Sequence, residues 1–216
     1  AYGSYSGCRQ YLENIEAART AAGPEAPRID KLRLFHKEPG FIAANAAHLR
    51  EALASLGSAD PVHVVFTAHS LPRSMADGCA YSAQVQETCR LVAAEAGVAS
   101  ERWTLAYQSR SGRPADPWLE PDILDHVRTL HARGLSALAL LPVGFLSDHM
   151  EVLYDLDVAA RGLCETLGIR MCRARTVSRH PRFVEMLRDL IAERLAPGPA
   201  PDVCRADCCP PPARGR

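Results

Sequence analysis

The sequence predicts an α/β fold, a parallel sheet covered by helices on both faces, and two observations carry that prediction. Four times a helical pattern stops at a glycine (Gly57, Gly97, Gly134, Gly168), and each time a short apolar run follows. The connections are short, and strands alternating with helices return parallel to one another because the helix supplies the crossover. The first helix carries Ile42, Ala46, Leu49, Leu53 and Leu56 at spacings of four and three, the stripe of a 3.6-residue repeat. The second ends at Gly97. The third opens at Pro121 and carries Ile123, Leu124, Val127 and Leu130, and the fourth spans about 147–167. Strands are expected at 62–67, 103–107, 137–141 and 169–173, with an earlier one at 29–35. Residues 181–195 read as a last amphipathic helix and 4–19 as an opening helical stretch. From Ala196 onward, proline and glycine break the chain into a tail.

Composition bounds the function classes. At 216 residues the chain can form one substantial domain or two small ones. Lys+Arg and Asp+Glu balance at 25 each, so bulk charge draws it neither to nucleic acid nor to anionic lipid. No apolar run approaches the ~20 residues that cross a bilayer. The opening Ala1-Tyr2-Gly3-Ser4-Tyr5 resembles neither a signal peptide nor an initiator, and the first methionine is Met75. The chain therefore reads as a fragment or the product of an incomplete gene.

The eight cysteines divide by place. Cys79, Cys89, Cys164 and Cys172 sit singly within patterned segments, where a reduced, buried thiol is the ordinary reading; Val85, Cys89, Val92 and Ala96 share one helical face. Cys204, Cys208 and Cys209 fall within six residues of the proline-rich tail. Clustered thiols of this kind read as metal ligands before disulfides.

A parallel sheet binds ligands beyond the carboxyl ends of its strands, so chemistry is expected just after Thr67, Tyr107, Leu141 and Arg173. The first such segment holds His69, with Pro72 three residues on to stop local helix. An imidazole there can accept a proton or bind a borderline metal ion, or it can simply hydrogen-bond the next loop. The second is a long loop containing Trp118, whose indole suits a flat aromatic ligand or the covering of a helix start. After the third, Asp148, His149, Glu151, Asp155 and Asp157 crowd the first turns of a helix that Ser147 or Asp148 could cap. Asp148 and Glu151 are also explained by the helix dipole alone. Regular α geometry would splay His149 from Glu151, so a site using both requires the helix to begin irregularly; π and 3₁₀ distortions are common at functional sites.

At these residues the sequence resembles a known family. The strings FTAHSLP (66–72), QSRSGRPADPWLEPD (108–122) and PVGFLSDHMEVLYDLD (142–157), in this order, are similar to the ferrochelatases, as are YGSYSGCRQYLENI (2–15) and HKEPGFI (36–42). The resemblance runs from Tyr2 to about Leu195. It implies a chelatase-type, Rossmann-like fold and the carboxyl-terminal half of a two-lobed enzyme about twice this length. That enzyme inserts Fe(II) into a porphyrin in haem biosynthesis and works in the cytoplasm. The amino-terminal half, the other wall of the porphyrin cleft, is then an expected partner, and the chain alone is expected to be inactive. His69 matches the family's iron-binding, proton-accepting histidine and Glu151 its partner glutamate. Asp148, His149 and Asp155 would line a proton and metal path, while Trp118 and Phe145 would pack on the macrocycle.

Cys8, in SYSGCRQY, and the group Cys204, Cys208 and Cys209 resemble the bacterial branch that binds a [2Fe-2S] cluster with four thiolates. The adjacent pair Cys208-Cys209 departs from wider family spacings; a zinc site or a free tail is the alternative. That branch tilts the substrate toward coproporphyrin III over protoporphyrin IX. The expected organisation is a helical segment with the first cluster cysteine (1–28), an α/β domain (29–195) and a cluster-binding tail (196–216). Two rivals stand beside this reading: a cobalt or nickel tetrapyrrole chelatase, and a non-catalytic haem- or porphyrin-binding half-domain.

Overall fold

The computed structural model describes residues 1–57, 61–111, 115–197 and 208–211. A π-helical turn, Tyr5–Arg9, leads into α1 (Gln10–Ala22), and α2 (Pro39–Leu56) follows. Then come β1 (His63–His69), α3 (Arg73–Ala76), α4 (Tyr81–Ala96), β2 (Trp103–Gln108), α5 (Ile123–Ala132) and β3 (Ala137–Leu141). A single turn, α6 (Met150–Val152), runs into a π-helical segment, Leu153–Ala160, and on to α7 (Arg161–Thr166); β4 (Arg170–Arg173) and α8 (Pro181–Leu195) close the described fold.

All three strand pairings are parallel, in the order β2-β1-β3-β4. Alternation along each strand decides what the two faces bury. Val64, Phe66 and Ala68 join Ala139 and Leu141 under α2, α4 and α8, whose contributions include Leu49, Val85, Cys89 and Phe183. Val65 and Ala106 join Leu138 and Leu140 under α5 and the π segment, with Ile123, Val127, Leu156 and Cys164. The chain leaves β1 toward β2 on one face and travels from β2 to β3 and β4 on the other. Its direction therefore reverses between β1 and β3, and a crevice opens at their carboxyl ends.

The glycine stops were read correctly. At Gly97, φ is +75°, and Val98 N–H donates back to the Ala93 carbonyl at 2.8 Å, the bond that closes an αL-capped helix. The strand expected at 29–35 does not form. Leu32 and Phe35 pack into the helical layer, Phe35 against Phe41 and Phe183, and Arg33 ties to Glu38 and Glu193. Its alternation serves helices rather than a sheet neighbour. Pro72 opens α3 instead of stopping helix, since proline is well suited to a helix start, where its missing N–H is not needed. The helix expected from about 147 begins at Met150; His149 occupies its N-cap position in extended conformation and makes no side-chain cap, so neither Ser147 nor Asp148 serves there.

Candidate active site

Three loops meet above the β1/β3 crevice, each held by backbone and side-chain hydrogen bonds. Ser70 N–H donates to the Gln108 carbonyl (2.8 Å) and Ser70 Oγ to the Leu119 carbonyl (2.9 Å), joining the β1 and β2 exits. Tyr81 Oη donates to the His69 carbonyl at 2.9 Å. The loop after β3 is fixed by Tyr2 Oη donating to the Val143 carbonyl and Gly144 N–H donating to the Thr67 carbonyl, both at 3.0 Å. Gly144 has no alternative: a Cβ there would lie 2.7 Å from Ala68 Cα and Cβ.

His69 ends β1 with Nδ1 2.5 Å from the Ser70 carbonyl. A carbonyl can only accept, so Nδ1 carries a proton, which leaves Nε2 as the ring nitrogen that faces the crevice. Nε2 lies 3.8 Å from Glu151 Oε1, and Glu151 Oε2 lies 4.0 Å from His149 Nδ1. Glu151 thus stands between two imidazoles, all three side chains partly open to solvent. Phe145 supports the group, its ring 6.4 Å from His69 and 5.2 Å from His149, edge to face with the latter. The helix does begin irregularly: His149 stands ahead of it in extended conformation, so α geometry does not splay it from Glu151, and eight π-helical residues follow after Val152. Among the described residues no three or more His, Cys, Asp or Glu side chains close into a metal cage. The trio is an open set.

Of the other expected site residues, Asp155 accepts from Ser109 Oγ at 2.9 Å, tying the β2 exit to the π segment, and Asp148 is held by Arg173. Trp118 is buried beside Leu71 and Pro72, with its Nε1 lacking a partner among the described residues. Sequence reasoning gave no role to Gln108. It pairs with His69 in the sheet register, is fully buried, and donates from Nε2 to the Glu151 carbonyl at 3.4 Å, while its Oε1 has no partner among the described residues. A polar side chain on the last residue of an apolar strand was the available signal.

The thiols lie elsewhere. Cys8 is buried in the first π turn; Cys208 and Cys209 are half-buried, and Cys204 falls outside the described residues. Burial, then the neighbouring Cys208, Cys79 and Cys8, pushes the Cys209 thiol up to about 12. Pro210 packs against Gly78, one residue before Cys79, and Ser6 Oγ donates to Met75 Sδ at 3.4 Å. The described tail therefore docks on the body where Cys8 lies. Cys89 and Cys164 are buried as expected, whereas Cys79 and Cys172 are only partly so.

Imidazoles and a carboxylate converge at the switch point of a parallel sheet, groups whose chemistry suits proton transfer or a divalent ion, on an α/β protein. Comparison with known proteins gives the family. The ferrochelatase family model matches residues 1–195, and the chain belongs to that family. A ferrochelatase of Rhodopirellula baltica is 48% identical over 233 residues, covering all of this chain and 66% of the relative. A coproporphyrin III ferrochelatase of Streptomyces griseus is 44% identical, covering 97% of this chain and 64% of its own length. The chain thus spans slightly under two thirds of these relatives, so the unmatched part is nearer a third than the half expected. A solved structure, a putative cobalamin biosynthesis CbiX protein from Marinobacter aquaeolei, matches 62% of this chain and 98% of its own at 21% identity, with a TM-score of 0.43.

Proposed function

We propose that the polypeptide carrying this chain inserts Fe(II) into a porphyrin, with coproporphyrin III as the substrate, as a step of haem biosynthesis. The observation that carries the proposal is His69 Nε2 facing Glu151 Oε1 across 3.8 Å at the β1/β3 switch point. Insertion forms bonds from iron to the pyrrole nitrogens and removes two N–H protons. An imidazole lone pair and a carboxylate suit Fe(II) while leaving coordination positions for transfer, and each can take up a proton once iron has left it. His149 adds a second imidazole, and Asp155 and Asp148 extend the polar path. Phe145 and Trp118 form the aromatic backing for the macrocycle. Relatives named for coproporphyrin III support that substrate.

The other wall of the cleft comes, on this reading, from the part of the relatives this chain does not match. Leu146, Met150, Leu153, Tyr154 and Val158 are exposed around the π segment, apolar surface of the kind a covering lobe would bury. Residues 1–28, 29–195 and 196–216 then act as linker helix, α/β domain and tail. The cytoplasm is the compartment this reading of the family implies. Among the described residues no helix is long and apolar enough to cross a membrane.

Cys8, Cys208, Cys209 and Cys204 are the proposed ligands of a [2Fe-2S] cluster. Pro210 of the described tail packs at Gly78, beside Cys79, which supports a tail that reaches the body with its thiols as a soft donor set. When bound, the cluster supplies a cross-link pinning the tail to the first π turn. Serine at any of the four positions is expected to remove the visible absorption of anaerobically purified protein; one zinc per chain without iron or sulfide would replace the cluster by a simpler metal tie.

The test of the activity is absorbance-monitored metallation of coproporphyrin III by Fe(II) in the full-length polypeptide. The 216-residue chain alone is expected to fall short of it by orders of magnitude, because a one-walled cleft cannot use binding energy to strain the macrocycle. Equal rates would overturn the two-walled reading, and no metallation by the full polypeptide would overturn the activity.

A further inference from the structure

We infer that Arg173 is a positioning residue that staples the segment bearing His149 and Glu151 into its working geometry, an inference that rests on the chelatase reading above. Arg173 is the last residue of β4 and pairs with Leu140 of β3, so its side chain emerges beside the loop that leaves β3. The guanidinium grips Asp157 with both prongs, Nε to Oδ1 and Nη2 to Oδ2, each at 2.8 Å. Its remaining donors reach Asp148, Nη1 to Oδ1 at 3.1 Å and Nη2 to Oδ2 at 3.5 Å, and Nη1 also donates to the Ala174 carbonyl at 3.3 Å. The side chain is 11% exposed, against 35% for Asp148 and 25% for Asp157, so the ion pairs are sheltered from solvent screening.

The positions of the two carboxylates explain what the staple does. Asp148 immediately precedes His149, and Asp157 lies within the π segment that follows Glu151. One cation therefore closes a loop of chain that contains His149, Glu151 and Asp155. That loop needs an external tie. Its first turn has no side-chain cap, α6 is only three residues long, and a π segment holds a less common backbone geometry. Arg161 approaches Asp157 at 3.4 Å but, among the described residues, does not bridge to Asp148. Lysine cannot reproduce the grip: a single ammonium has neither the planar fork nor the reach to hold two carboxylates at once. A displacement of about 1 Å in a reacting group can cost about a hundredfold in rate.

The experiment is steady-state metallation of coproporphyrin III by Fe(II) in the full-length polypeptide, comparing wild type, R173K and R173A, with thermal unfolding as the folding measure. For R173K, kcat is expected to fall about ten- to hundredfold, with the porphyrin KM within about threefold, and to fall further than any loss of folded protein explains. R173A in millimolar guanidinium is expected to recover part of its kcat, whereas the same concentration of urea restores nothing. Because a split between kcat and KM and a rescue specific to guanidinium report on site geometry, a merely structural arginine would show neither. R173K with kcat within twofold of wild type, or a loss that tracks the folded fraction with no guanidinium rescue, would overturn the inference. A wild type that metallates nothing would instead bring down the chelatase reading on which it rests.

Discussion

Strand β1 begins with one histidine and ends with another, six residues apart. At the amino end His63 Nε2 meets Thr104 Oγ1 at 3.0 Å, and the same hydroxyl lies 2.7 Å from His126 Nε2. Burial holds both rings below the usual imidazole pKa, and their mutual repulsion lowers His63 further. Within that group the hydroxyl is shared, and among the described residues no carboxylate bonds to either ring. At the carboxyl end His69 has one nitrogen locked by a carbonyl and the other aimed at Glu151. The residue type is the same, and the difference is direction. Parallel strands deliver every loop exit to one end of the sheet, so at that end the loops leaving β1, β2 and β3 meet over one crevice.

Substitutions at the two ends should separate by orders of magnitude. His69→Ala is expected to lower metallation by about 10³-fold or more, as loss of a proton-accepting and metal-binding group does, with circular dichroism unchanged. Glu151→Gln keeps the shape and loses the charge; a fall of about 10²-fold with porphyrin affinity nearly unchanged, read by fluorescence quenching, would place it on the iron side of the site. If porphyrin binding is lost instead and turnover of the bound fraction is normal, Glu151 belongs to the opposite wall. His149→Gln should cost about tenfold, the smaller effect of a group that reaches the site only through Glu151.

His63→Gln should leave kcat within about twofold and act on stability alone. Its sign follows from protonation. With the folded pKa depressed below the unfolded value of about 6.5, the unfolded chain binds protons first as pH falls. The stability held by His63 and His126 is therefore complete above that value and is lost as pH drops through it toward the folded pKa values. Denaturant midpoints of the His63→Gln, His126→Gln protein should fall less steeply between pH 7 and 5 than those of wild type. An equal slope would mean that neither ring titrates differently on folding, and a kcat change beyond tenfold would erase the distinction between the two ends.

Much of this arrangement was legible before any coordinates. Apolar runs after glycine stops located every strand of the sheet within two residues, because a buried parallel strand is apolar on both faces. The position of His69 at the carboxyl end of an apolar strand was legible too. The segment at 29–35 misled because alternation records that one side is buried and leaves open what buries it; Phe35 is buried by aromatic rings. Gln108 and Arg173 were hidden for another reason. Their roles depend on partners 43, 25 and 16 residues away, and no local pattern announces a bond at that separation.

Gly144 carries a consequence for motion. With the β3 exit loop resting on the end of β1 and no space even for a methyl group between them, the loop has a floor. It cannot sink toward Ala68, and Phe145, buried in the core beside it, ties it down. Any breathing of this crevice is therefore one-directional, and the lowest position of the loop is a mechanical stop to which it returns in register.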